Sequence, residues 1–378
     1  MENTTFYLGL FLSVLNMSLW GCWTLIRVKC RTDGVKFTTL YIIGDFLCQL
    51  ILILSLEYSP SQFATLLNSR YDPSKVISII LGGYFIAQSD FLCASATEIV
   101  PVYIIFPIYT GLCMASGMIV TYVMQKVMLN NISTISTLYL FAGILFAILA
   151  VLALAKAESY PDDHEPVSTA TNTNTTINPI SADVELTELN KLENSKELEA
   201  KDNKNKKWII IMIFGGVICS FWSPASFWSR MEQVNNGGVG GIPLDSYVCL
   251  FYFSVGKLMA IPMIYNHGIA IEFHENKKIL LHEQILTDLL LLPLSDKCYG
   301  LLSGSFVGGG FYLYFKASNM IATTAALGIA SCEPLMNIFV SIVFLNSLKY
   351  ANLYRKLYMF LSVILFVVAI LFMALSAE

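Results

Sequence analysis

Charge is what this chain has least of. Charged residues make up 13% of its 378 positions and apolar residues 56%, whereas soluble domains carry roughly a quarter charged residues. A mean hydropathy of +0.63 repeats the message, and an ordinary water-soluble globule is excluded. Histidine is scarce too, with four in the chain. His267, His274 and His282 share one segment at irregular spacing, so no metal site is expected. The nine cysteines are odd in number, fall mostly inside apolar runs and show no C-x-x-C spacing, which argues against a disulfide or zinc framework. No G-x-x-x-x-G-K-[ST] occurs, and no strand precedes the glycines Gly304, Gly308, Gly309 and Gly310. Those glycines, with Gly82 and Gly83, read as small-residue packing surfaces. Clustered catalytic residues and a nucleophile elbow are missing as well. An enzyme is therefore not expected, and neither a cofactor nor a nucleic-acid partner is called for. The first apolar run lacks a basic leader and reads as a retained helix.

What the chain does have is apolar runs of spanning length. About 20 such residues cross ~30 Å of hydrocarbon as a helix. Ten runs qualify: Phe6–Ile26, Thr38–Leu56, Val76–Ala94, Thr97–Val123, Thr137–Ala155, Trp208–Trp228, Ser246–Tyr265, Tyr299–Phe315, Ile321–Leu345 and Leu357–Leu375. Landmarks recur between the halves. Leu81, Gly83, Phe85, Leu92 and Ala96 are matched by Leu302, Gly304, Phe306, Leu313 and Ala317, each pair 221 positions apart (302 − 81 = 317 − 96). Ser18 and Trp20 match Ser220 and Trp222, 202 apart; Leu138, Tyr139 and Phe141 match Leu357, Tyr358 and Phe360, 219 apart. The pattern predicts an all-α integral membrane protein of ten transmembrane helices, a 5+5 bundle of inverted repeats. Residues 1–156 form the first five-helix repeat and 208–378 the second. Between them, 157–207 carries a Thr/Asn tract and then a Lys/Glu-rich stretch, and reads as a disordered linker. A short interfacial helix is expected within Glu272–Leu292, from the apolar positions Ile279, Leu280, Leu281, Ile285 and Leu289.

Basic residues set the expected orientation. Arg27, Lys29, Arg31 and Lys36, Lys156, the lysines from Lys191 to Lys207, and Lys277, Lys278, Lys297, Lys349, Arg355 and Lys356 fall on one side of the ten-span topology. Positive residues are retained in the cytoplasm. Both termini are then extracytoplasmic and the long central loop is cytoplasmic. The sequons at Asn3 and Asn131 fall on the outer side.

Ionisable side chains at membrane depth are expensive and so mark function. Lys257 and Glu333 lie near the middle of their runs, Asp45 and Asp90 lie within theirs, and Glu98 opens the fourth. Pro334 follows Glu333 and frees a helix carbonyl beside the carboxylate. For Glu333 the rival to a functional role is a structural ion pair with Lys257. Glu98 also reads as a helix-start carboxylate, and Asp90, after Gln88 and Ser89, as part of a polar vestibule. Trp20 and Trp222 occupy equivalent places, with Trp23 and Trp228 nearby. Facing one cavity, such indoles would sandwich a flat heterocycle and offer N–H donors; interfacial anchoring is the plainer alternative. The expected solute-binding set is Trp20, Trp23, Glu98, Trp222, Lys257 and Glu333. Asp45, Glu98 and Glu333 are the proton-coupling candidates, with a proton or other ion gradient as driving force.

Several of these stretches resemble the ureide permeases of the drug/metabolite transporter superfamily. They are Gly21-Cys22-Trp23, Ala96-Thr97-Glu98-Ile99-Val100, Ser223-Pro224 and Phe251-Tyr252-Phe253-Ser254-Val255. Glu333-Pro334 is similar to a pair found more widely in that superfamily. The resemblance covers both halves but not the central segment. It implies a ten-helix inverted-repeat fold in the plasma membrane and proton-linked uptake of ureides or nucleobases such as allantoin, xanthine or uracil. The nucleotide-binding-like motif of the plant members' central loop is missing, so ATP is not implied. The expected partners are the lipid bilayer and a small-molecule solute, and a homo-oligomer is compatible with the sequence. The alternatives are a sugar or nucleotide-sugar transporter of the same superfamily and, in another class, a non-transporting receptor or integral membrane enzyme.

Overall fold

A computed structural model describes residues 2–98, 102–129, 134–158, 160, 207–231, 242–272, 282–345 and 351–376. Nearly all of the expected linker 157–207, the Asn131 sequon and the apolar positions Ile279, Leu280 and Leu281 lie outside the described residues. Among those described, the chain is helical, with one isolated parallel bridge from Tyr71 to Ile242. The elements are α1 (Glu2–Lys29), α2 (Gly34–Leu52), α3 (Pro60–Leu67), α4 (Pro73–Ala96), α5 (Val102–Leu129) and α6 (Thr134–Glu158). Next come α7 (207–219), α8 (Trp222–Arg230), α9 (Ser246–Glu272) and α10 (His282–Leu291). The last four are α11 (Leu294–Ala317), α12 (Thr323–Ala330), α13 (Glu333–Leu345) and α14 (Leu353–Leu375).

Among the described residues, seven stretches are long and apolar enough to cross a membrane: Thr4–Trp23, Gly34–Glu57, Pro73–Ala96, Thr134–Ala157, Lys207–Arg230, Ser246–Asn266 and Leu353–Leu375. These are the helices of an integral membrane protein. Helices also occupy the other three expected runs, as α5, α11 and the pair α12–α13. The last of these is interrupted, so neither piece reaches spanning length alone.

Short polar signals start the helices. Asp33 accepts the Lys36 N–H at 2.9 Å ahead of α2, and Asn352 accepts that of Arg355 at 2.8 Å ahead of α14. Asp72 caps α4, whose first residue is Pro73; proline suits that position because its missing N–H would be unpaired anyway. Burial then follows lipid rather than water. On α14, Met359, Ser362, Phe366, Ala369 and Met373 are buried, while Leu357, Phe360, Ile364, Val367 and Leu371 are exposed. That much uncovered apolar surface would be a liability in water but matches hydrocarbon.

The packing partners are specific. α2 lies on α11 and α4 on α9; α1 lies on α11 and α8 on α4; α6 packs along α14 and α2 along α9. Glycines bring the backbones together. A Cβ on Gly304 would overlap the Tyr41 carbonyl oxygen and one on Gly83 that of Phe253. Gly44 abuts the Leu301 carbonyl and Gly256 that of Ile80 in the same way.

Among the described residues, two helices break in mid-course, each a few residues before a proline. A helical proline cannot give its residue i−4 carbonyl a hydrogen bond. Pro224 leaves the Ser220 carbonyl without that donor, and α7 stops at a turn of Ser220 and Phe221 before α8 resumes at Trp222. Pro334 does the same to Ala330, the last residue of α12, and the turn Ser331–Cys332 separates it from α13.

Candidate functional site

Both breaks open onto one cavity. It offers about 60 Å³ to the centres of water-sized molecules, ample for several waters, since one needs roughly 10–15 Å³. Trp20 and Trp23 of α1, Tyr41 of α2 and Trp222 of α8 form much of its aromatic wall. Val307 and Phe311 of α11 and Ile86 of α4 complete the apolar side. The polar side consists of Asp90, Tyr109, Thr110, Cys113, Cys219, Ser331 and Glu333. Among the described residues, no Lys, Arg or His lines it.

Asp90 is buried and held by two phenols. Tyr41 donates to Oδ2 at 2.9 Å and Tyr109 to Oδ1 at 2.7 Å. Hydrogen bonds to a carboxylate are the stronger kind, so three helices converge on this one group. Glu333 is half-buried and begins α13, where unpaired N–H groups and the helix dipole favour negative charge. Gly21 makes this placement feasible. A Cβ there would lie 2.9 Å from the Glu333 carbonyl oxygen, so only glycine lets α1 approach the start of α13 this closely. The Trp20 indole N–H and the Asn16 amide, one turn apart on α1, are buried and have no hydrogen-bond partner among the described residues. Such orphans are rare in folded proteins and call for an explanation. Both groups face Gly310 of α11, where a Cβ would overlap Trp20 Nε1 and lie 2.7 Å from Asn16 Oδ1.

The structure brings together Trp20, Trp23, Trp222 and Glu333 from the expected set. It arranges them differently from a sandwich. Trp20 and Trp222 meet edge to face, with centroids 5.9 Å apart and planes at 81°. Each also packs on Phe311, at 4.9 and 5.2 Å. No slot for a heterocycle exists between the indoles, because the two rings are already in contact, in one of the geometries that aromatic pairs favour. Trp228 lines a separate apolar cleft between α4, α5 and α8.

Lys257 and Asp45 do not reach the cavity. Both are fully buried, and Lys257 Nζ lies 3.1 Å from Asp45 Oδ2. Asp45, not Glu333, is therefore the partner of Lys257. Gln49 Nε2 donates to Asp45 Oδ1 at 2.8 Å, and Ser254 in turn donates to Gln49. The ammonium sits 4.0 Å from the Phe311 centroid and 4.9 Å from that of Phe253, where ring faces attract cations. Lys257 thus supports the back of the cavity wall instead of pointing into it.

Glu98 lies just beyond α4, partly exposed, with Oε1 2.7 Å from Arg27 Nη2. It takes no part in the cavity lining. Arg27 also donates to the Thr32 and Cys30 carbonyls, at 3.1 and 3.3 Å, so the pair ties the end of α1 to the end of α4.

Sequence reasoning gave Asp90 only a vestibule and passed over Tyr41, Tyr109, Cys113 and Cys219. A polar Ser89-Asp90 pair inside an apolar run was the available signal.

No protein-family profile and no curated protein matches the chain. A solved structure titled only "Crystal structure of protein" is similar to it, at 12% identity and a TM-score of 0.51, covering 98% of this chain and 97% of that one. A likeness at that identity speaks for a shared fold alone.

Proposed function

We propose that this chain is a secondary active transporter of small, planar, polar solutes, coupled to protons, in which two five-helix halves alternate access to the cavity. The observation that carries the reading is the cavity itself: two carboxylates, Asp90 and Glu333, set among aromatic rings at the breaks of two discontinuous helices. Interrupted helices with exposed termini at the binding site are a recurrent device of secondary transporters.

The packing supports two related halves. Exchanging each first-half element for its second-half counterpart turns the α2–α11 contact into α9–α4, and α1–α11 into α8–α4. The α2–α9 and α6–α14 contacts map onto themselves. The glycine contacts follow the same rule. Gly304 against Tyr41 corresponds to Gly83 against Phe253, with offsets 304 − 83 = 221 and 253 − 41 = 212. Gly44 against Leu301 corresponds to Gly256 against Ile80, with 256 − 44 = 212 and 301 − 80 = 221. Asp45 and Lys257, also 212 apart (257 − 45), then occupy equivalent positions and meet where the halves meet.

The resemblance to ureide permeases makes allantoin, uracil and xanthine the first solutes to try, in a plasma-membrane protein with both termini outside and the central segment in the cytoplasm. Their N–H groups suit carboxylate acceptors and their rings suit the indoles. A nucleotide-sugar substrate fits less well, because its phosphates would face two carboxylates and, among the described lining residues, no cationic side chain. A receptor or enzyme reading has no comparable support in the cavity.

Uptake of labelled solute into proteoliposomes under an imposed pH gradient tests the proposal. Wild-type protein accumulates the solute, whereas Glu333→Gln loses gradient-driven accumulation and keeps exchange between preloaded vesicles. Undiminished accumulation by Glu333→Gln removes it from coupling. If the wild type accumulates none of the three solutes with or without the gradient, the reading fails.

A further inference from the structure

Two of the cavity's cysteines touch. Cys113 on α5 and Cys219 at the end of α7 place their sulfurs 3.1 Å apart, and both side chains line the cavity. The backbones are close for a stated reason: a Cβ on Gly216 of α7 would lie 2.9 Å from both the Leu112 Cβ and the Tyr109 carbonyl oxygen. A disulfide needs sulfurs at about 2.05 Å and Cα atoms within about 7 Å, so a small side-chain rotation would serve where helices already approach this tightly. Cys219 Sγ accepts from the Cys113 thiol and lies 3.1 Å from the Tyr109 hydroxyl oxygen. That hydroxyl also holds Asp90, so the thiol pair adjoins the polar side of the candidate site.

We propose that Cys113 and Cys219 form a redox-sensitive lock, closed by small hydroperoxides that enter the cavity. Cys113 is half-buried and Cys219 buried, so the oxidant meets Cys113 first. Its sulfur attacks the peroxide oxygen, giving a sulfenic acid and releasing water or an alcohol. The Cys219 thiol then displaces water from that sulfenic acid. In sum two thiols and one hydroperoxide yield one disulfide, one water and one further water or alcohol. A dithiol reductant reverses the bond by exchange. The bond joins α5 to α7. Resting on the transport reading, these belong to opposite halves, so the bond staples the elements whose relative motion alternates access.

The test uses the purified full-length protein, reduced and then treated with hydrogen peroxide. Peptide mapping by mass spectrometry reads the linkage, and uptake into proteoliposomes is followed in parallel. The lock requires a Cys113–Cys219 linked peptide and loss of uptake, both reversed by dithiothreitol. Cys113→Ser and Cys219→Ser, compared each with itself before and after peroxide, lose the sensitivity at whatever uptake each retains. No linked peptide, a linked peptide with undiminished uptake, or peroxide inhibition that persists in both variants overturns the lock. A reduced protein that carries none of the solutes defeats the transport reading instead, and the peptide map still decides whether the dithiol closes.

Discussion

Neutralising one member of the Asp45–Lys257 pair should unbalance the protein far more than neutralising both. The two side chains have no exposure and lie 3.1 Å apart. Removing one partner of a buried pair leaves an uncompensated charge and typically costs about 3–5 kcal/mol, roughly two to four decades in the folding equilibrium at ~1.4 kcal/mol per decade. Each survivor keeps something. After Asp45→Asn the ammonium still faces the Phe311 and Phe253 rings, and after Lys257→Met the carboxylate still accepts from Gln49. The single variants should therefore fall toward the lower end of that range. The double variant Asp45→Asn/Lys257→Met has no stranded charge and should recover most of the loss, since neutral replacements of buried pairs are often tolerated. The reversed pair Asp45→Lys/Lys257→Asp should not recover. It sets a carboxylate against the negative ring faces of Phe311 and Phe253 and an ammonium against the Gln49 amide N–H. The assay is reversible denaturation of purified protein in mixed micelles, read as a double-mutant cycle. If the double variant's loss equals the sum of the singles within about 0.5 kcal/mol, the charges do not interact and the reasoning is wrong.

Three other substitutions probe the rest of the architecture. Gly304→Ala and Gly83→Ala each drive a methyl into a facing carbonyl oxygen, so each should lower stability by about 1–3 kcal/mol or more, read as an earlier thermal transition; an unshifted transition in either would contradict the close approach. Tyr41→Phe and Tyr109→Phe each remove one donor from Asp90; a hydrogen bond to a charged group is worth about 1.5–3 kcal/mol, and in the same denaturation assay the combined variant should lose more than either single, which equal losses would refute. Glu98→Gln breaks a partly exposed pair whose arginine keeps three carbonyl acceptors, those of Cys30, Thr32 and Ala94. Its effect should stay within about 1 kcal/mol with gradient-driven uptake intact, and loss of that uptake would return Glu98 to the candidate site.

Much of the site was legible because membranes make polar residues conspicuous. Glu333-Pro334 and the paired tryptophans stand out from apolar runs, and the structure gathers Glu333, Trp20, Trp23 and Trp222 around one cavity. The misassignments have a common cause: they turn on partners far apart in sequence. Asp90 becomes central through Tyr41, 49 positions away, and Tyr109, 19 away; neither tyrosine differs locally from any other aromatic residue in an apolar run. Cys113 and Cys219 are separated by 106 positions, and nothing in their spacing announces a contact. Lys257 reads from the sequence as a solute-binding residue, with an ion pair to Glu333 as the rival, whereas helix packing pairs it with Asp45. Of the two readings the sequence leaves open for the indoles, the sandwich needs them held apart; touching each other fills the space at less cost than leaving a dry slot.

The Asp45–Lys257 contact shows why identity matching between halves misses the position that matters most. Tyr41, Gly44 and Asp45 correspond to Phe253, Gly256 and Lys257, and only the glycines are identical. On the proposed two-half arrangement these residues face each other across the pseudo-twofold. There, two copies of one sequence would be forced to oppose like with like, two carboxylates or two ammoniums about 3 Å apart with no water between them. A single fused chain escapes that constraint, because its halves can diverge at the axis. Opposite charges at equivalent positions are then what duplication followed by fusion permits and a symmetric homodimer forbids. The same asymmetry extends to the environment: aromatic faces gather around Lys257 and an amide donor serves Asp45. Each charge has acquired its own surroundings, which is why reversing the pair should fail where deleting it succeeds.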